Sequence, residues 1–203
     1  MRDFSNLLGV RCEFCHVGRA GQPIEECDFA SDEKRTKSVA RQMMRLLQEV
    51  NHRIDTLPGR GGAGFQATCG TCHRGVSRPI PLPTLIAEVA QEGGLDSAVR
   101  AYRTLREEHY GRDAYNFEEA SLNNAALQLG QSGRFPEAFG LLVLNEEHFP
   151  QSPGMYIFRG VISLMQADTT AAAAAFREAL RRAPGNPEAL MRLQAIGRDP
   201  GND

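Results

Sequence analysis

Two five-residue runs constrain this chain more than any other feature: Cys12-Glu13-Phe14-Cys15-His16 and Cys69-Gly70-Thr71-Cys72-His73. Both spell C-x-x-C-H, the attachment signature of a c-type haem. The spacing has a mechanical reason. Two thiols on one short helical turn can each add to a vinyl group on the edge of the same porphyrin. The histidine that follows then lies beneath the ring and offers an imidazole nitrogen to the iron. Other uses of C-x-x-C fit less well. The pairs are separated by residues 16–68, far more than the roughly 15–20 residues of a zinc ribbon, and zinc would leave each following histidine unexplained. A thioredoxin-like motif needs a βαβ context, and no strand pattern flanks either run. The residues therefore imply two covalently bound haem c groups, one on Cys12, Cys15 and His16, the other on Cys69, Cys72 and His73.

The totals set the remaining bounds. At 203 residues, 41% hydrophobic and 24% charged, the chain suits one large or two small soluble domains. A net charge of −2 gives no reason to expect a nucleic-acid partner or an anionic membrane surface. The longest apolar-leaning runs, residues 139–144 and 171–176, fall far short of the roughly 18 needed to cross a bilayer. Cys27 is left over and reads as a buried, inert thiol. Because haem is joined to C-x-x-C-H after export, the expected location is periplasmic or extracellular. The opening Met1-Arg2-Asp3-Phe4 carries no signal segment. That combination fits a sequence beginning inside a longer precursor, with any membrane attachment confined to an anchor ahead of Met1.

In the first part of the chain, Phe4, Leu7 and Leu8 share one helical face before a break at Gly9. Residues 17–30 read as loop. Ser31 and Asp32 offer an N-cap, with Glu33 in the first turn of a helix running to about Arg53. Its apolar positions, Val39, Met43, Leu46, Leu47, Val50 and Ile54, form one stripe at 3.6-residue spacing. A haem is a large apolar disc that must be buried against such a stripe. Met43 lies on it, whereas Met44 is turned about 100° away, so Met43 is the expected axial partner of His73. Pro58, Gly59, Gly61, Gly62 and Gly64 mark a return loop that brings the second motif back under this helix. Pro79, Pro81 and Pro83 stop any helix and place a boundary between a haem-bearing domain, residues 1–80, and a second domain, residues 81–203. His52, His109 and His148 read as surface or boundary residues, His52 being the one that could approach a haem.

The runs Leu8–His16, Asp28–Lys34, Val39–Met43 and Thr68–Gly75 resemble, in order and content, the photosynthetic reaction-centre cytochrome c subunit family, over about residues 1–80. In that family a haem unit is a helix carrying an axial methionine, a loop, and a second helix carrying C-x-x-C-H. The resemblance implies Met43 as the ligand paired with His73 and Met1 as the ligand paired with His16. It also implies electron transfer. Family members hold four haems as two such pairs; this chain has one pair.

The second half is alanine-rich and repeats. Ala138, Leu142 and Pro150 recur as Ala172, Phe176 and Pro184, a shift of about 34 residues, the tetratricopeptide period. Leu122, Ala125, Ala126 and Leu129 align with Tyr156, Arg159, Gly160 and Ser163. Arg159 and Ser163 stand where apolar or aromatic residues are usual. Leu85 to Tyr102 fit a further, degenerate copy, and residues 187–196 a closing helix. The resemblance to tetratricopeptide repeats, over about residues 84–196, implies a short stack that either docks or self-assembles proteins or props up the haem domain.

The expected fold is therefore all-α: a c-type dihaem domain of helix-loop-helix units plus a short α-solenoid. The expected function is that of an electron carrier, not an enzyme, serving redox partner proteins, with docking or self-association through the repeats. The rivals are a dihaem peroxidase or nitrogen-oxide reductase with an open iron at the first haem, and a polymeric cytochrome filament.

Overall fold

The computed structural model describes residues 2–58 and 64–197. It is all-α: nine helices, two 3-10 turns and one isolated bridge between Val17 and Asp28 make up the regular structure of the described residues. The chain divides into two compact units, Met1–Pro79 and Ile80–Asp203. Among the described residues no helix is long and apolar enough to cross a membrane.

The first unit contains α1 (Arg2–Leu8), a 3-10 turn at Cys12–Phe14, another at Ile24–Glu26, α2 (Arg35–Asp55) and α3 (Cys69–His73). α1 ends where the sequence puts a break. Gly9 takes φ +61°, and a Cβ there would stand 1.9 Å from the carbonyl oxygen of Gly75, so both the left-handed turn and the close approach require glycine. The start of α2 departs from expectation. Ser31 and Asp32 do not cap it; Lys34 is the N-cap residue, without a side-chain cap bond. The reason is that the Asp32 carboxylate is taken by Lys37 Nζ at 2.9 Å and Arg41 at 2.6 Å, while Ser31 Oγ accepts from the Glu33 amide. The glycine-rich return at 59–63 lies outside the described residues.

This unit has no apolar core of its own. Among described residues 2–79 only Cys27 and Lys37 are buried. The α2 stripe is open: Val39 is 45% exposed, Met43 45%, Leu46 48% and Val50 38%.

The second unit is built from α4 (Leu82–His109), α5 (Glu119–Gln131), α6 (Phe135–His148), α7 (Gly154–Met165), α8 (Thr169–Arg182) and α9 (Pro187–Ala195). Pro83 does not end a helix here but sits in the first turn of α4, where its missing N–H would be unbonded in any case. α4 is broken by Gly94, at φ 75° and ψ −179°. α5 pairs with α6 and α7 with α8, and the second pair starts about 34–35 residues after the first (Gly154 against Glu119, Thr169 against Phe135). The turns inside the two pairs are both left-handed, at Gly133 (φ 74°) and Ala167 (φ 60°). Leu122, Leu129, Leu141 and Leu142 are fully enclosed, and Asn145 donates across the pair to Asn123 Oδ1 at 2.9 Å. Between α7 and α8, a Cβ on Gly160 would meet the Phe176 ring at 2.3 Å, so the ring fills the space that the missing methyl leaves. Phe176→Ala is expected to lower the stability of this unit by about 3–5 kcal/mol, read by urea unfolding; a loss within error would show that the ring is not a core element.

Candidate haem sites

The residues of the two motifs come together around one cavity of about 550 Å³ in the first unit, within the roughly 300–1,000 Å³ usual for cofactor sites. Cys12, Cys15, His16, Cys69 and His73 line it, with Phe4 and Leu8 of α1 and Met43 and Met44 of α2. Cys72 is exposed and is not part of the wall. Met43 and Met44 are 45% and 40% exposed and both line the cavity. Met1 lies outside the described residues. His52 is exposed on the last turns of α2; His109 meets the Tyr115 ring edge-on at 5.3 Å and His148 lies tilted against Tyr102 at 5.6 Å, both in the second unit.

Each motif is held in place by polar side chains of α2. At its N-terminal end Lys34 Nζ donates to the Glu13 carbonyl and Thr36 Oγ1 to the Phe14 carbonyl, which fastens the Cys12–Phe14 turn to the helix. One turn on, Lys37 Nζ is buried and donates to the carbonyls of Phe29 (2.7 Å), Ala30 (3.2 Å) and Ser31 (2.7 Å) besides its ion pair with Asp32. Phe29 in turn packs on the His16 ring, centroids 4.6 Å apart. At the other end of α2, the Asn51 side chain bonds both groups of one residue: Nδ2 donates to the Ala67 carbonyl at 3.0 Å and the Ala67 amide donates to Oδ1 at 2.8 Å. The second motif starts two residues later, capped reciprocally by Thr68 and Thr71. It is tied to α1 by the Gly75 amide donating to the Leu7 carbonyl at 3.0 Å. Lys34, Thr36, Lys37 and Asn51 were not singled out from the sequence; polar residues near the ends of an amphipathic helix look like solvated positions until their partners are seen.

The two imidazoles differ. His73 Nδ1 lies 2.9 Å from the Val76 carbonyl; a proton there leaves Nε2 as the free donor, the arrangement of a metal-binding histidine steadied by its second nitrogen. His16 Nδ1 is shielded from solvent and has no partner among the described residues. Burial, followed by the charges of Lys37, Arg41 and Lys34, holds the His16 pKa below its ordinary value. Burial pushes the Cys15 thiol up, against the pull of Lys34.

These features fit a haem. The stripe on α2 is apolar and open, the thiols are free, and both imidazoles face the cavity. The wall carries four cations, Arg11, Arg35, Lys37 and Arg41, of which Arg11 pairs with Glu13 at 3.0 Å and Lys37 and Arg41 pair with Asp32. A zinc reading finds no such support, since no group of three or more His, Cys, Asp or Glu side chains is gathered among the described residues. Cys27 is buried, 8% exposed, and accepts from Gln22 Nε2 at 3.3 Å.

The apolar stripe of α2, with Met43 and Met44, thus stands beside both C-x-x-C-H turns. Residues 23–106 match the family described as photosynthetic reaction centre cytochrome C subunit. Cytochrome c-554 of Chloroflexus aurantiacus is 41% identical over 70 residues, 34% of this chain and 14% of that protein. The chain thus matches only a small part of that relative. No solved structure matches. The resemblance to the reaction-centre cytochrome family holds over the segment that carries Met43 and Cys69–His73; the first motif precedes it, and α5–α9 follow it.

Two outcomes follow from the clamp. Lys37→Met leaves three carbonyls without their donor and the Asp32 carboxylate with Arg41 alone, and is expected to destabilise the first unit by about 3 kcal/mol, measured by chemical unfolding of the haem-loaded protein; an unchanged midpoint would mean that the ammonium is not a fastener. Hydrogen bonds from Arg41 and then Lys37 hold the Asp32 pKa at about 2, below the roughly 3.9 of an unfolded chain. A depressed folded value contributes stability that is complete above about pH 4 and is lost as the pH falls through about 2. Acid unfolding of Asp32→Asn should therefore lack that part of the wild-type pH dependence; identical acid profiles would show that the carboxylate is not engaged in solution.

Proposed function

We propose that the chain is an exported dihaem c-type cytochrome that carries electrons between partner proteins. The observation that carries this reading is the open apolar stripe of α2, bearing Met43, beside the thiols and imidazoles of two C-x-x-C-H turns. Cys12 and Cys15 would hold one haem, with His16 and Met1 as its iron ligands, and Cys69 and Cys72 would hold the other, with His73 and Met43 as its iron ligands. Bound haem supplies a one-electron Fe(III)/Fe(II) couple, and a thioether ligand sets its potential above that of a bis-imidazole site. The chain's own residues do the rest. Val76 orients His73, Phe29 backs His16, and Lys34, Lys37 and Asn51 fix both motifs to one rigid helix, so that little has to move when charge changes.

Two protein ligands for each iron, His16 with Met1 and His73 with Met43, would leave no position for a substrate, which favours a carrier over an enzyme. Residues 1–80 form the electron-transfer domain. Residues 81–203, whose 34-residue period and paired helices support a tetratricopeptide-like stack, supply docking. Location outside the cytoplasm follows from where haem is joined to C-x-x-C-H.

Mass spectrometry of the intact protein should count two haems, with Cys12→Ser/Cys15→Ser and Cys69→Ser/Cys72→Ser each removing one; a colourless wild-type protein would end this reading. Met43→His should lower the potential of one haem by more than about 59 mV, a tenfold shift for a one-electron couple. If the potential stays put, Met43 is not the ligand. A high-spin ferric component in the wild-type spectrum would favour the enzyme instead.

A further inference from the structure

The two motifs are alike in sequence and differ in what surrounds them. His73 Nδ1 lies 2.9 Å from the Val76 carbonyl, so an N–H there has an acceptor. His16 Nδ1 is shielded from solvent and meets no partner among the described residues. A ligand imidazole whose second nitrogen donates to a carbonyl is the more basic and gives more electron density to its metal. Greater electron density favours ferric over ferrous iron. His73 is therefore set to lower a potential, and His16 is not.

The clamps differ in charge as well. Ammonium groups hold the first motif. Lys34 Nζ donates to the Glu13 carbonyl inside the Cys12–Phe14 turn. The buried Lys37 Nζ donates to the Phe29 carbonyl at 2.7 Å, and the Phe29 ring packs on His16. Asp32 is shared by Lys37 and Arg41, so one carboxylate faces two cations, and Lys34 meets no carboxylate among the described residues. Neutral groups hold the second motif: the Asn51 side-chain amide and the hydroxyls of Thr68 and Thr71. Arg74, which follows His73, is exposed, and salt screens an exposed charge far more than a buried one. Ferric iron carries one positive charge more than ferrous, so fixed cations beside a haem disfavour the oxidised form and raise its potential.

Both differences act in one direction. With His and Met on both irons, as proposed above, the axial ligands do not distinguish the haems and the surroundings decide. We propose that the haem on Cys12, Cys15 and His16 has the higher potential of the two, with Lys34 and Lys37 as the residues that raise it and Asp32 as the one that limits the rise. An electron arriving at either haem would settle on the first. The inference rests on the electron-carrier reading and adds an order of reduction to it.

The test is an optical redox titration of the full haem-loaded chain, with haems counted by mass spectrometry in the same samples. Two one-electron waves are expected, separated by at least about 59 mV, a tenfold difference in occupancy. In the Cys69→Ser/Cys72→Ser protein the wave that remains should be the higher one. Lys34→Gln should lower that wave and leave the other in place, whereas Lys34→Arg, which keeps the charge, should restore it. Asp32→Asn, at an exposed position, should raise the same wave, and it decides alone if Lys34→Gln takes up no haem. Opposite shifts from the two variants are what a charge effect gives and a loosened fold does not. Coincident waves, the lower wave on the first motif, or wild-type potentials in both variants would overturn the inference. Two haems with their order reversed remove this proposal only; a protein without haem ends the electron-carrier reading itself.

Discussion

The ammonium of Lys37 is the contact on which the first unit depends. Its apolar residues are not packed against one another, so the segment between the two motifs cannot be shaped by a hydrophobic core in the usual way. In place of a core, one buried cation gathers the carbonyls of Phe29, Ala30 and Ser31 and the carboxylate of Asp32. That gathering folds residues 28–32 over the start of α2 and carries Phe29 onto His16. Lys34 and Thr36 repeat the device on the first motif, and Asn51 does so for the approach to the second. α2 thereby becomes a rod with a motif fastened near each end, and its apolar side stays clear of these bonds. The polar contacts supply geometry; the apolar surface is kept for a flat ligand.

The second unit uses the opposite strategy. Its helices bury leucine, alanine and phenylalanine against each other, and within that core the Asn145 amide donates across to Asn123 Oδ1 and to the Glu119 carbonyl. A unit organised in this way is stable through its own packing, whereas the described apolar residues of the first stay open. In the function proposed above, the first would hold the redox chemistry and the second the docking surface.

Much of this was legible in the sequence, for identifiable reasons. Covalent attachment chemistry requires a fixed spacing, so the two C-x-x-C-H runs could be read outright, and the α2 stripe obeys a period that only a helix satisfies. The 34-residue recurrence located α5 to α8. The start of α2 was misplaced because Asp32 is a good capping residue that has a stronger use, pairing with Lys37 and Arg41. Pro83 was read as a stop although a first-turn proline is equally a start. Met43 was preferred to Met44 because it shares the α2 stripe, and both methionines line the cavity. The fasteners at Lys37 and Asn51 were hidden because their partners are backbone groups, which leave no trace in side-chain patterns.

The bond pair between Asn51 and Ala67 has one more consequence. A side-chain amide that engages both the N–H and the C=O of a single residue cannot be satisfied if the chain slides by one position, because the next residue presents those groups in the opposite direction. The alignment of the thiol-bearing turn with α2 is therefore set two residues ahead of that turn, whatever the number of residues in the connecting stretch. Insertions or deletions between Pro58 and Phe65 can be absorbed upstream of the lock, leaving the spacing of sulfur, imidazole and thioether untouched. Variation in length among such proteins should accumulate in that stretch, while the asparagine and its distance from the methionine hold constant.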